Sequence, residues 1–148
     1  LVMMVNEPSS AKQPFAWSAA VLDGYLWFSL KNPEDFPATL LWISNGGRSA
    51  APWNSQHIGR ISIEEVCSSF CHGVERSRRD HLTVDGIPTI RHFSRDEIVS
   101  LRMIHSVALV PDDFGAVIRI IPHDEGFVAI HGDSAKSIIV PVNWKYVI

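Results

Sequence analysis

Phe15-Ala-Trp-Ser-Ala-Ala-Val-Leu-Asp-Gly-Tyr-Leu-Trp-Phe-Ser-Leu30 decides the fold class. Phe15, Trp17 and Ala19 recur with a period of two, the spacing that puts successive side chains on one face of a strand. Leu22-Asp-Gly24 is a turn. Tyr25, Trp27 and Ser29 then alternate against Leu26, Phe28 and Leu30, which predicts a second strand. Lys31-Asn-Pro-Glu-Asp-Phe-Pro37 ends it, because proline cannot donate to a ladder.

Working outward, the same punctuation recurs. Val2–Val5 is a first candidate strand, and the nearly all-apolar Thr39–Ile43 fits a central one. Ile58–Ile63 is a further short strand. Thr89–Phe93, Ser100–Val110, Val117–Ile121, Phe127–Ile130 and Ser137–Val142 complete the set, the last three as a meander with turns at Pro122–Gly126 and His131–Asp133. One helix interrupts them. Ser62-Ile-Glu-Glu65 fits a helix start, and Val66, Phe70 and Val74 at spacing four extend it over about Glu65–Arg76. Many short strands and one helix predict a mainly β antiparallel sandwich, a single domain over 1–148.

Composition narrows the function classes. With 46% hydrophobic and 20% charged residues over 148 positions, the chain has the make-up of a globular domain with a core. The net charge of −3 and the short block Arg76-Ser-Arg-Arg79 argue against nucleic acid, and the block reads as a solvated helix face or turn. No apolar stretch approaches a membrane span, and no signal peptide is visible. Two cysteines do not make a disulfide framework and suit a reducing, cytoplasmic setting. Cys67, Cys71 and His72 have metal-like spacing but lack a fourth ligand, so small core residues are the preferred reading, with no metal and no cofactor expected. The chain opens at Leu1 without an initiator Met, and Leu1–Val5 already reads as strand. A fragment, a processed product or a short relative of something longer are all open.

The functional signal lies in the long polar loop after the central strand, which carries Asn45, Arg48, Trp53 and Asn54. Phe36-Pro-Ala-Thr-Leu-Leu-Trp-Ile-Ser-Asn-Gly-Gly-Arg48, Ala51-Pro-Trp-Asn54 and His57-Ile-Gly-Arg-Ile-Ser-Ile-Glu64 together resemble aldose 1-epimerase, the galactose-mutarotase-like family. Gly86-Ile-Pro-Thr89 and Val110-Pro-Asp-Asp-Phe-Gly115 resemble it too. The resemblance covers most of this chain but only the C-terminal part of the family domain. It implies carbohydrate binding, with a sugar-facing loop and a following strand that delivers a Glu, here Glu64, as catalytic base.

The chemistry needs a base for the anomeric hydroxyl and an acid for the ring oxygen. Glu64 ends a strand beside the loop, which suits the base. Charging the first turn of the following helix is its alternative role, one that Glu65 fills equally well. The family's catalytic His lies far upstream of the Glu, and no residue here inherits that role by motif. His57 is the nearest substitute. His105 reads as a hydrogen-bonded core histidine, and His72, His81, His92, His123 and His131 as loop or exposed residues. For binding, Trp53 is the expected platform for the sugar's C–H face, with Arg48, Asn54 and Asn45 for hydroxyls. Arg48 could equally pair with a loop carboxylate, or grip a phosphate or acid group. Trp27 and Trp42 read as core. The sequence thus leaves three readings open: an epimerase-like domain, a non-catalytic carbohydrate-binding module, and a ligand-free interaction domain. Each is compatible with a homodimer through exposed strand edges.

Overall fold

The computed structural model describes residues 1–79 and 86–148. These form nine strands, β1 (Val2–Val5), β2 (Ala16–Leu22), β3 (Tyr25–Lys31), β4 (Ala38–Asn45), β5 (Ile58–Val66), β6 (Met103–Leu109), β7 (Val117–Pro122), β8 (Phe127–Gly132) and β9 (Ser137–Pro141). One helix, α1 (Val74–Arg79), and a closing 3-10 turn at Trp144–Val147 accompany them. All pairings are antiparallel, in three three-stranded sheets ordered β1-β4-β5, β2-β3-β6 and β7-β8-β9. The mainly β antiparallel class expected from the alternation is the observed one. The chain divides into two compact units, residues 1–6 with 36–94 and residues 7–35 with 95–148.

The second unit is the sandwich. Leu26, Phe28 and Leu30 of β3 turn one way, and Ile120 of β7, Val128 and Ile130 of β8 and Val140 of β9 meet them in one apolar cluster with Phe15, Phe114 and Val147. Trp17 and Ala19 pack against it on the face that the period of two assigns them. Each fully buried side chain of this set stabilises the unit by about 1.5–3 kcal/mol relative to exposure. Between β2 and β3 the turn is two residues, Asp23-Gly24, with Leu22 opposite Tyr25 and Gly24 at φ 78°, a conformation glycine adopts without steric cost. Ion pairs staple the outer turns. Lys136 holds the Asp113 carboxyl, and Lys145 the Glu125 carboxyl, below the usual carboxylate range by hydrogen bonding.

Lys31, expected outside the strand, instead ends β3 fully buried and donates from Nζ to Ser18 Oγ at 2.6 Å. Its position follows from register. Lys31 lies opposite Met103, so the strand extends as far as its neighbour β6 offers ladder partners.

The first unit is one sheet with α1 beside it. Here the helix expectation fails. Glu65 and Val66 belong to β5, paired with Thr39 and Ala38, and the helix is only Val74–Arg79. A ladder of eight registered pairs with β4 overrides the spacing-four pattern. Phe70 at φ 48° and Gly73 at φ 85° also stop a right-handed helix from running through that segment. The basic block does lie on α1, with Arg76, Arg78 and Arg79 exposed and Arg79 paired to Glu75, while Ser77 is buried. Thr89–Phe93 is not a strand. Thr89 is instead buried and donates from Oγ1 to the Ser77 carbonyl at 2.7 Å, and Pro88 removes a ladder donor beside it. Ser100–Val110 shortens to Met103–Leu109, the length of its partner β3.

One close approach in the sandwich gives a direct test. A Cβ on Gly132 would stand 2.1 Å from the Phe114 carbonyl oxygen, which is backbone and cannot swing aside. Gly132→Ala should therefore cost about 1–3 kcal/mol in denaturant unfolding. A wild-type midpoint in this variant would show that the two segments are not in contact.

Candidate functional site

The site is built on the β4–β5 ladder of the first unit. Leu40, Trp42 and Ser44 lie opposite Glu64, Ser62 and Arg60, so these six side chains share one face of the sheet. Between Ser44 and Asn45 the register shifts, and Gly59 is the extra residue, at φ 64°. This is a β-bulge of the kind that places a glycine in the left-handed region and re-aims the chain beside it.

The loop between the strands is closed on itself. Gly46 N–H donates to the His57 carbonyl at 3.1 Å, and the same carbonyl accepts from Ser44 Oγ at 2.8 Å. Ser55 N–H donates to the Arg48 carbonyl at 2.8 Å, and Trp53 N–H to that of Ala50 at 3.0 Å. Asn54 and Ser55 both have positive φ, 47° and 56°, and Gln56 N–H closes over them onto the Trp53 carbonyl at 2.9 Å. That is a type I′ turn, in which asparagine is favoured.

This loop delivers three side chains to Trp42. The His57 ring stacks on Trp42 with centroids 5.4 Å apart and planes 18° apart. Trp53 meets Trp42 edge-on, at 6.1 Å and 89°, and meets His57 at 5.3 Å and 71°. The Arg48 guanidinium carbon lies 4.6 Å from the Trp42 centroid and 5.2 Å from that of Trp53, both within cation–π reach. The three rings are half-buried and Arg48 is exposed. His57 Nδ1 is buried without a hydrogen-bond partner among the described residues, a cost that a buried polar atom rarely carries.

Of the residues singled out by sequence, Arg48, Trp53 and His57 thus come together. Glu64 is exposed on the same face as Trp42, two residue pairs further along at Leu40, a step of roughly 7 Å. It stands on a strand and not in a helix turn, so the helix-dipole role considered for it and Glu65 does not arise. Glu65 is on the opposite face and accepts from Thr39 Oγ1 at 2.6 Å. Asn45 and Asn54 are exposed, and neither side chain hydrogen-bonds to the ring cluster.

Trp42 is the residue that sequence reasoning assigned to the core and that stands at the centre of the cluster. Its face follows from pairing with β5, and Gly59 inside the strand pattern Ile58–Ile63 was the available signal of a bulge. Trp27 is likewise half-buried and packs on His105 at 5.5 Å. His105 is exposed and not a core histidine, because alternation on β6 sets it opposite Ser29, away from the face of Leu30 and Phe28. His72, His92 and His123 are exposed as expected. His131 is half-buried in β8 with Nε2 buried and unpartnered among the described residues. His81 lies outside the described residues.

A groove of about 710 Å3 in the second unit is lined by Val21, Asp23, Gly24, Asp112, Ala116 and Val117 among others. It carries the carboxylates of Asp23 and Asp112 but no aromatic face or cation, so the ring cluster is the better candidate for recognition. Among the described residues no group of three or more His, Cys, Asp or Glu side chains could hold a metal ion. No helix among them is long and apolar enough to cross a membrane.

No family model matches the sequence, and no curated protein or solved structure matches it either.

The cysteines differ in setting. Cys71 is exposed, contrary to the expectation of a core residue, whereas Cys67 is half-buried and burial pushes its thiol up. A raised thiol carries less thiolate, the reactive form. Brief alkylation at pH 8 followed by peptide mapping should label Cys71 well ahead of Cys67, and equal labelling would contradict the burial of Cys67.

Proposed function

We propose that this chain binds a carbohydrate at the Trp42, Trp53, His57 and Arg48 cluster, with Glu64 serving as general base in the interconversion of sugar anomers. The observation that carries this reading is the convergence of two indoles, an imidazole and a guanidinium from β4, the loop and its end onto one sheet face that also bears an exposed carboxylate. Indole rings offer the apolar, electron-rich surface that the C–H face of a pyranose needs. A loop closed by its own backbone bonds holds them in place and reduces the entropy lost on binding. In the proposed step Glu64 takes the proton of the anomeric hydroxyl, the C1–O5 bond breaks to the open aldehyde, and an acid protonates the ring oxygen. Reclosure on the other face of the carbonyl gives the second anomer. His57, the imidazole within the cluster, is the candidate for the acid role.

A binding module without turnover is the second reading. It is favoured by Arg48 over the indoles, a group that grips a ligand but has no proton to exchange at neutral pH. The two cysteines, free of disulfide, fit a reducing, cytoplasmic setting. Strands β1 and β5 end one sheet and β2 and β6 another, which supports self-association through an edge. Sedimentation should then show a dimer at micromolar concentration, and a monomer throughout would remove that part of the proposal.

Polarimetry on freshly dissolved α-glucose and α-galactose tests the activity. Wild type should accelerate equilibration, with Glu64→Gln slower by roughly 10²–10⁴-fold, the usual worth of a positioned base. Trp53→Ala should weaken sugar binding roughly tenfold, the loss of one aromatic platform. Binding without acceleration would leave the module reading, and no binding of either sugar or its acidic derivatives would exclude both.

A further inference from the structure

Arg48 sets the chemistry of the ligand more narrowly than its aromatic neighbours do. Its guanidinium is exposed, lies within 5.2 Å of the centroids of two indoles, and makes no ion pair with any described residue. The loop carboxylate that could have neutralised it is not there, since residues 44–57 contain no Asp or Glu. Cation–π contact does not use up N–H donors in hydrogen bonds, and the guanidinium fork has a spacing that matches two oxygens of a carboxylate or phosphate. Contact with two rings restricts the Arg48 rotamers, so less entropy is lost when an oxyanion docks.

The charge along the sheet face has a direction. Arg60, exposed and opposite Ser44, lies two residue pairs from Trp42 on the loop side. Glu64 lies two pairs away on the other side. From Arg60 to Glu64 is four residues of strand, roughly 13 Å. A ligand at Trp42 and Trp53 would therefore lie between Arg60 on one side and Glu64 on the other, with the Arg48 guanidinium against the rings. A neutral sugar offers neither arginine a counter-charge, while an acidic group at one end of a sugar engages them and keeps its hydroxyl-bearing end toward Glu64.

We propose that the ligand is an anionic sugar, one whose carboxylate or phosphate is held by Arg48, with Arg60 adding to the field. This rests on the carbohydrate reading of the site. Calorimetric titration of the whole chain with glucose, glucuronate, glucose 6-phosphate and inorganic phosphate tests it and separates the two oxyanions. At least one acidic sugar should bind ten-fold or more tighter than glucose, and tighter than inorganic phosphate. The advantage should shrink with added salt and fall to within about twofold in Arg48→Gln. Arg48→Lys, which keeps the charge but not the fork, should retain only part of it. Circular dichroism of each variant confirms that it is folded. Glucose binding as tightly as its acidic relatives would overturn the anionic assignment while leaving sugar binding intact. Inorganic phosphate binding as tightly as the sugar phosphate, with glucuronate no tighter than glucose, would overturn it in favour of a bare anion site. Absence of binding by every sugar would overturn this proposal together with the carbohydrate reading.

Discussion

The β4–β5 ladder, with its bulge at Gly59, is the constraint on which the candidate site depends. It sets Trp42, Arg60 and Glu64 on one sheet face, and it brings the two ends of the loop close enough for Gly46 to bond to the His57 carbonyl. Without the extra residue at Gly59, alternation would carry His57 and Ile58 to the opposite faces from those they occupy relative to Arg60. The ring cluster is thus a consequence of backbone register, and the side chains are placed by hydrogen bonds that none of them makes itself.

The two units are held by different physics. In the sandwich, fully buried leucine, isoleucine, valine and phenylalanine form one continuous cluster between two sheets. In the other unit the buried apolar positions among the described residues are few, Pro37, Ala38 and Leu40, and the other buried residues are serines and threonines. Thr39 donates to Glu65, Thr89 to the Ser77 carbonyl, and Ser77 Oγ accepts from Ser69 N–H. Such an interior gains geometry from directional bonds more than free energy from burial. A site that must keep two indoles, an imidazole and a guanidinium half-buried at a surface is suited to that kind of support.

The composition of the cluster also accounts for its exposure. Trp42, Trp53 and His57 shield one another edge-on and face-on, so none needs full burial to remove its apolar surface from water. Arg48 covers the indoles with a weakly hydrated, planar cation that stays in contact with solvent. The arrangement sets two indoles beside a cation that has no ion-pair partner among the described residues, and the proposed recognition rests on that pairing.

Sequence alone determined the elements whose signals are local. Period-two alternation placed β2 and β3 and the inward set Leu26, Phe28 and Leu30, and Asp23-Gly24 marked the turn between them, because side-chain direction and turn conformation depend on neighbours in the chain. The polar loop was legible as a candidate site for the same reason, through Arg48, Trp53 and His57. What only the tertiary structure decided depends on partners far along the chain. Spacing-four residues after Ser62 suggested a helix from about Glu65, and the ladder to β4 keeps Glu65 and Val66 in strand, so that the helix begins only at Val74. Trp42 was assigned to the core, and pairing with Ser62 put it at the centre of the site. His105 was assigned to the core as well, and its place opposite Ser29 exposed it. Lys31 was read as a breaker and is buried at the end of β3. In each case the residue's own preference is worth a fraction of a kcal/mol, and the long-range ladder that overrules it sums many bonds and buried contacts.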